Sequence, residues 1–316
     1  MEQQTPRQRA VGSRRTDGIR TDGNRRRWLG RRPRTLVGTV CAAVLAVALA
    51  VAFFFSSGPG AASSASPSAG PNASAPATVP AGTIDGALDS KINAILKANS
   101  QYQIGVALMN VSTGAGSAKD VHEYGVRDAF VAASTAKVLA AAAYYHLVET
   151  GAATLDDPLG AYTSGFQLRE MIQQSDNDSW SLIMNAVGHA ELTDYAASIG
   201  VDYDPEANTL TPAQMATILD GVYSGTLLNA EDTAQLLSYM QDTNYETLIP
   251  AAVPEGITVF HKYGLLGPEL HDVGILAQDG TAYALVIYTK GEGLSDDPER
   301  TEVIHQITQT VAGALF

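Results

Sequence analysis

A serine and a lysine three residues apart carry the first chemical signal in this sequence. Ser134 and Lys137 lie in VAASTAKVLAAAA, at the start of an alanine-rich segment that predicts a helix. One helical turn would place both side chains on one face, where serine could attack a carbonyl and lysine could accept its proton. A lysine base must be neutral, and apolar surroundings would lower its pKa. From this stretch alone, an N-cap serine followed by a solvated lysine also stays open.

Two further motifs follow along the chain. Ser175, Asp176 and Asn177 occur in QQSDNDSW between two helical patterns, and Lys262 and Gly264 occur in FHKYGLLG at the end of a strand pattern. Each has an ordinary structural interpretation, as a helix cap or as an edge lysine before a turn. Together, in the order S-x-x-K, S-D-N and K-x-G, they form a constellation with defined mechanics for serine acyl transfer. The order therefore favours catalysis.

The elements that must position these motifs follow a simple order. Helical patterns cover 84–98 and 298–314, with an almost wholly helical block from 134 to about 242. Strand patterns cover 102–110, 121–125, 257–264, 272–278 and 282–289. Asp279-Gly280 between the last two predicts a tight hairpin. This order predicts an α+β fold, in which terminal helices pack on an antiparallel sheet and an all-α lobe is inserted between the strands.

The charge of the chain is divided unevenly. Residues 1–35 hold eleven arginines and three acidic residues, whereas the remainder holds nine basic and thirty acidic residues. The acidic part argues against nucleic acid as a partner, because like charges repel. The single cysteine, Cys41, excludes a disulfide within the chain and a cysteine-ligated metal site.

The beginning of the chain predicts a membrane anchor. Residues 36–55 carry no charge and are numerous enough to cross a hydrocarbon core. The arginines of the basic tail 1–35 would stay in the cytoplasm, so the part after the span would be extracytoplasmic. A signal peptide, either uncleaved or cleaved with secretion of the rest, is the alternative. The Ser/Ala/Pro/Gly-rich segment 56–82 is interpreted as a flexible linker to a domain at 83–316.

The domain resembles the penicillin-recognising serine enzymes, and among them the class A β-lactamases and their close serine-hydrolase relatives. Besides the three motifs, the resemblance includes TLDDPL at 154–159, LTPAQMATIL at 210–219 and HDVGIL at 271–276. It covers nearly all of 83–316. It implies a β-lactamase/transpeptidase-like fold with a five-stranded antiparallel sheet, flanking helices and an inserted all-α lobe.

The resemblance also implies catalytic roles. Ser134 would attack the carbonyl of a β-lactam or an acyl-D-alanyl peptide, and Lys137 would accept its proton. Ser175 would pass a proton to the leaving nitrogen, and Asp176 would orient the loop. Lys262 would help to keep Lys137 neutral. No metal or cofactor is implied.

Substrate binding is implied at the same motifs. Asn177 would hold the amide of the substrate side chain, and Lys262 would supply positive charge for its carboxylate. The backbone amide of Leu265, after Gly264, would complete the oxyanion hole with that of Ser134.

The sequence departs from the family pattern in three ways. Tyr263 stands where a small hydroxyl residue normally helps to bind the substrate carboxylate. The stretch between the first two motifs is shorter than in typical class A enzymes. The loop bearing the deacylation base is abbreviated to VDYDPEANTLTP, in which Asp204 would be the base and Asn208 its partner. Glu206 is a second candidate base, and an acidic surface loop is the structural alternative.

Three functions therefore stay open. Fast deacylation would make the protein a β-lactamase, and slow deacylation would make it a penicillin-binding or D,D-peptidase-like protein. A non-catalytic module that binds a cell-wall ligand is the third. The intact motif residues favour an enzyme that forms an acyl-enzyme, because such chemistry fails when any member is lost.

Overall fold

A five-stranded antiparallel sheet organises the computed structural model, which describes residues 82–112, 120–293 and 296–316. In chain order, the strands of the described residues are β1 (Gln103–Asn110), β2 (His122–Gly125), β3 (Phe130–Val131), β4 (Pro158–Leu159), β5 (Tyr162–Thr163), β6 (Thr209–Leu210), β7 (Thr258–Leu266), β8 (Glu269–Gln278) and β9 (Thr281–Lys290). The strand order in the sheet is β2-β1-β9-β8-β7, so β7 is an outer strand.

Helices cover both faces of this sheet. In chain order, those of the described residues are α1 (Gly86–Ala98), a 3-10 helix (Ala133–Ala136), α2 (Lys137–Glu149), α3 (Ser164–Gln173), α4 (Asn177–Val187), α5 (His189–Ser198), α6 (Pro212–Tyr223), α7 (Ala230–Tyr239), α8 (Ile249–Ala252) and α9 (Asp297–Leu315). Helices α2 to α7 form the inserted lobe, and α1, α8 and α9 pack together on the sheet. The predicted α+β class and element order are confirmed.

The structure confirms one predicted turn and adds two short strand pairs. The hairpin at Asp279-Gly280 is confirmed, since both residues have positive φ, at 50° and 83°, and Gln278 pairs with Thr281. The short pairs β3–β6 and β4–β5 were not predicted inside the helical block. Two-residue strands carry no periodic signal, so only the fold can reveal them.

Alternation along the strands divides the core into two layers. In β1, Val106 and Leu108 pack in the cluster shared with α1 and α9, whereas Ala107 and Met109 pack in the cluster of the helical lobe. This follows from the two-residue period of side chains in a strand. The sheet therefore connects two cores, and the lobe that carries the first two motifs rests on one of its faces.

Helix α2 runs through the centre of the lobe. Its first nine residues, from Lys137 to Tyr145, are all buried. The run of alanines suits this position, because alanine loses no rotamer freedom on burial and lets neighbouring helices approach closely. A lysine at the start of such a helix is therefore held in an apolar setting.

The predicted basic tail, the apolar span 36–55 and all but the last residue of the linker lie outside the described residues. Within the described ranges, no helix combines the length and the apolar character needed to cross a membrane.

Candidate active site

Ser134 lies in the 3-10 helix that leads directly into α2. Its neighbour Ala133 has a positive φ of 50°, a conformation that is unfavourable for a residue with a Cβ. Thr135 ties the same turn to the sheet through a 2.9 Å hydrogen bond with the hydroxyl of Tyr288. The N-cap position of α2 is Ala136, which makes no side-chain cap. The interpretation of Ser134 as a helix cap is therefore wrong.

Lys137 is 2% exposed and points into the S-D-N loop. Its Nζ donates to the carbonyl of Ser175 at 2.7 Å and to Oδ1 of Asn177 at 2.8 Å. Longer contacts of 3.4 Å reach Oγ of Ser175 and the carbonyl of Asp176. Burial lowers the pKa of Lys137 to about 8, and the nearby carboxylate of Asp176 partly opposes this shift. The amine therefore loses its proton near pH 8, well below the pH at which an exposed lysine does.

The S-D-N loop is shaped by its own side chains. Ser175 has a positive φ of 53°, and this turn directs its carbonyl towards Lys137. The carboxylate of Asp176 accepts a 2.7 Å hydrogen bond from the amide of Ser179 and caps α4. That backbone hydrogen bond lowers the pKa of Asp176. Asn177 begins α4 and is exposed on the cavity side of the loop.

Lys262 is fully buried although it lies on the outer strand β7. Its Nζ donates to the carbonyl of Tyr263 at 3.1 Å and lies 4.0 Å from the centroid of the Tyr263 ring. Burial lowers the pKa of Lys262 well below its usual range, and the charge of Lys137 adds to this. Asp272 acts in the opposite direction. The two lysines disfavour each other's charge, so the site favours at least one neutral amine.

Gly264 allows β7 to approach the nucleophile. A Cβ at this position would lie 3.0 Å from Cγ2 of Thr135, 3.1 Å from the carbonyl of Ala132 and 3.2 Å from Cβ of Ala133. Each distance is shorter than ordinary van der Waals contact. A side chain at this position would therefore force β7 or the 3-10 helix to shift by a few tenths of an ångström.

The backbone of β7 also aims an amide at the site. His261 donates its N–H to the carbonyl of Met240, outside the sheet, at 2.7 Å. Successive N–H groups of a strand point to opposite edges, and the register of β7 with β8 is unbroken along the whole strand. Four residues further on, the N–H of Leu265 therefore also faces away from β8. Leu265 and Ser134 line the same cavity, as an oxyanion hole formed by their amides requires.

Behind β7, a buried polar network holds the strand in place. The ring of His261 contacts Asp272 at 2.9 Å through Nδ1, and Glu246 and Thr243, each at 3.0 Å, through Nε2. Burial disfavours a charged ring, but the attraction and hydrogen bonds of Asp272 and Glu246 outweigh it and raise the pKa of His261 to about 9. Asp272 also accepts a 2.9 Å hydrogen bond from the amide of Ile249 in α8. No local pattern predicts this network, because its members come from three separate segments of the chain.

A cavity of about 200 Å³ brings together Ser134, Lys137 and Asn177 from the first two motifs. It is lined by Ala133, Ser134, Lys137, Asn177, Trp180, Asn208, Leu265 and Leu266. Trp180 and Leu266 were not among the site residues predicted from the motifs. Trp180 follows Asn177 by three residues in α4, so helical spacing could have placed it on the same face. Leu266 is 56% exposed and adjoins Leu265, which is 36% exposed, at the cavity rim.

Residues of the loop predicted to hold the deacylation base line two different cavities. Asp204 and Glu206 are exposed and line a second, open cavity together with His189. Oδ1 of Asp204 accepts the amide of Glu206 at 2.8 Å. Asn208 instead lines the Ser134 cavity, where its Nδ2 donates to the carbonyl of Ala133 at 3.2 Å. The structure therefore brings Asn208, but neither acidic residue, to the cavity of the nucleophile.

A helical lobe on a five-stranded antiparallel sheet, with a serine and a buried lysine at their junction, defines a serine hydrolase of the β-lactamase/transpeptidase type. The sequence matches the model of the beta-lactamase enzyme family over residues 87–315, and the chain belongs to that family. The resemblance inferred from the three motifs is thereby confirmed.

Solved structures show the same fold. A variant of PBP-A, described as an acyl-enzyme complex with penicillin G, is 25% identical, with a TM-score of 0.65 over 72% of this chain and 96% of its own. An ancestral class A β-lactamase is 24% identical, with a TM-score of 0.63, and the match covers 72% of this chain and 100% of the ancestral one. A β-lactamase from Desulfarculus baarsii is 23% identical, with a TM-score of 0.63, and the match covers 72% of this chain and 96% of that β-lactamase.

The close approach at Gly264 yields a direct prediction. We expect Gly264→Ala to lower the rate of Ser134 acylation by about fivefold, because the added methyl group would displace β7 from Ser134 by a few tenths of an ångström. The rate is measured from the intact mass of the protein during reaction with an acylating probe. Gly313→Ala, in α9 where a Cβ meets nothing within 4 Å, is the control. Equal rates for the two variants would show that the contact does not position the strand.

Proposed function

We propose that Ser134 forms an acyl-enzyme by attacking the carbonyl of a β-lactam or a similar cyclic or peptidic amide. The observation that carries this proposal is the buried amine of Lys137 beside the S-D-N loop. A neutral lysine amine has two N–H donors and one lone pair. The two short hydrogen bonds, to Ser175 and Asn177, occupy both donors. The lone pair is then available for the proton of Ser134.

The remaining steps use neighbouring groups. The new bond joins Oγ of Ser134 to the carbonyl carbon, and the negative charge on the oxygen is stabilised by the amides of Ser134 and Leu265. The proton taken up by Lys137 returns through the hydroxyl of Ser175, 3.4 Å from Nζ, to the leaving nitrogen as the C–N bond breaks. Asn177, exposed on the rim, is available to a substrate amide.

We further propose that deacylation is slow. Asp204 and Glu206 line a different cavity from Ser134, and Asn208, which shares the Ser134 cavity, is a neutral amide that cannot act as a base. Loss of a general base typically lowers a rate by about 10²–10⁴. This favours a penicillin-binding or D,D-peptidase-like protein over an efficient β-lactamase.

The acylation proposal is tested with the full-length protein, a large excess of benzylpenicillin and long incubation. We expect a one-to-one adduct on Ser134 that lasts much longer than the turnover time of an efficient β-lactamase. We expect no adduct on the Ser134→Ala variant. Intact protein mass and free drug are followed together. Consumption of drug in many-fold excess over protein would contradict slow deacylation. Absence of any adduct at saturating drug, together with no labelling of Ser134 by a fluorophosphonate, would contradict the proposed acylation.

The pKa of Lys137 predicts how acylation depends on pH. Only the neutral amine accepts a proton, and its pKa is lowered to about 8. We therefore expect the acylation rate to rise about tenfold per pH unit below pH 8 and to level off above it. Rates are measured from pH 6 to pH 10. A Lys137→Arg variant should be slower by about 10²–10⁴, since a guanidinium stays protonated throughout this range. A wild-type rate that is flat between pH 6 and pH 8 would contradict a base at Lys137.

We also propose that residues 36–55 anchor the domain outside the cytoplasmic membrane. The uncharged span and the eleven arginines that precede it support this orientation. We expect the protein to sediment with membranes, to keep the mass of the 316-residue chain, and to be degraded by protease added to spheroplasts. A shorter chain in the medium would instead show a cleaved signal peptide.

A further inference from the structure

The cationic group expected to bind a substrate carboxylate is out of reach in this protein. Lys262 is 0% exposed, and it does not line the Ser134 cavity. Its Nζ is covered by Tyr263, through a 3.1 Å hydrogen bond to the carbonyl and a 4.0 Å approach to the ring centroid. A substrate anion could contact this amine only if the tyrosine moved away.

The hydroxyl of Tyr263 is also committed elsewhere. It donates to Oδ1 of Asn244 at 3.0 Å, and its ring stacks on Tyr245 with centroids 4.8 Å apart. Asn244 in turn donates to the carbonyls of Gln173, through its amide at 3.0 Å, and Gln174, through Nδ2 at 2.9 Å. Those two residues immediately precede the S-D-N loop. Tyr263 thus ties β7 to that loop and presents no hydroxyl to the cavity.

The described residues that line the cavity offer no free positive charge. Among the residues lining it, Lys137 is the one cationic side chain, and it is buried with its hydrogen bonds directed to Ser175 and Asn177. The exposed rim is formed by Leu265 and Leu266, which are 36% and 56% exposed. The other lining side chains are the hydroxyl of Ser134, the alanine at 133, an indole and two asparagines.

An anion entering this cavity would be poorly compensated. A carboxylate that leaves water without a cationic partner loses hydration that nothing replaces. The acidic balance of the chain after residue 35 adds a repulsive field at longer range. A neutral substituent avoids both costs and gains apolar contact with the two leucines.

We propose that this site selects acyl substrates whose group at the carboxylate position is uncharged, such as neutral β-lactams, lactams or esters, and that Tyr263 determines this preference. This inference rests on the proposed acylation of Ser134. The reaction is unchanged: the bond from Oγ of Ser134 to the acyl carbon forms, the C–N or C–O bond breaks, and the proton moves to the leaving atom. The difference lies in how the site binds the part of the substrate that carries the leaving nitrogen or oxygen.

The test uses the full-length protein with benzylpenicillin and its methyl ester. Acylation of Ser134 by each is followed by intact mass, and each rate is divided by the rate at which hydroxide opens the same compound. We expect the corrected rate of the ester to exceed that of the acid by about tenfold or more. Equal corrected rates, a faster acid, or no reaction with the ester would each overturn the inference.

Two variants assign the preference to Tyr263. Tyr263→Thr uncovers Lys262 and introduces a small hydroxyl. We therefore expect the corrected acylation rate of the ester, divided by that of the acid, to fall about tenfold. Tyr263→Phe keeps the ring over Lys262, so its ratio should match the wild type. A ratio that does not change in Tyr263→Thr would overturn the role of the tyrosine. If the threonine variant does not fold, the ratio of the ester rate to the acid rate in the wild-type protein still tests whether the site prefers uncharged substrates.

A fluorophosphonate separates failure of this inference from failure of the proposed function. It carries no carboxylate and reports an activated serine directly. Labelling of Ser134 together with a faster acid would overturn the selectivity and leave the acylation proposal intact. No labelling of Ser134, and no adduct from either penicillin, would overturn both.

Discussion

The burial of the Lys137 amine is the constraint on which the rest of the site depends. An amine removed from water at the start of an alanine-rich helix must be hydrogen-bonded, or its burial would be very unfavourable. Ser175 and Asn177 supply those hydrogen bonds, and this requires the strained turn at Ser175 and the cap that Asp176 places on α4. The same burial lowers the pKa of the lysine to about 8. One interaction thus joins α2 to the S-D-N loop and favours the neutral form of the amine that we propose as the base.

The second requirement is that an outer strand of the sheet reaches the helical lobe. Gly264 removes the side chain that would prevent this approach, and the network of His261 and Asp272 fixes the strand from behind. Because His261 donates its amide to Met240 outside the sheet, strand alternation turns the amide of Leu265 towards the nucleophile. Catalytic geometry at this edge therefore comes from backbone direction and close packing rather than from further catalytic side chains.

The two lysines show how one residue type takes different roles in neighbouring environments. Lys137 contacts the S-D-N loop and lines the cavity, whereas Lys262 lies beneath Tyr263 and contacts its carbonyl. Both pKa values are lowered, chiefly by burial. A charged Lys262 would be unfavourable beside Lys137 in the same desolvated region. The bulky residue between lysine and glycine in the third motif thus changes what the motif can recognise.

Local patterns in the sequence determined the element order, the α+β class, the hairpin at Asp279-Gly280 and the three motifs, because periodicity and turn chemistry act over a few residues. Only the tertiary structure decided which side chains share the cavity. It added Trp180 and Leu266, and it directed Asp204 to another cavity. It also decided that Lys262 is covered and that Tyr263 reaches Asn244. Desolvation and contact between distant segments exist only after the lobe has packed on the sheet, so no local pattern could encode them.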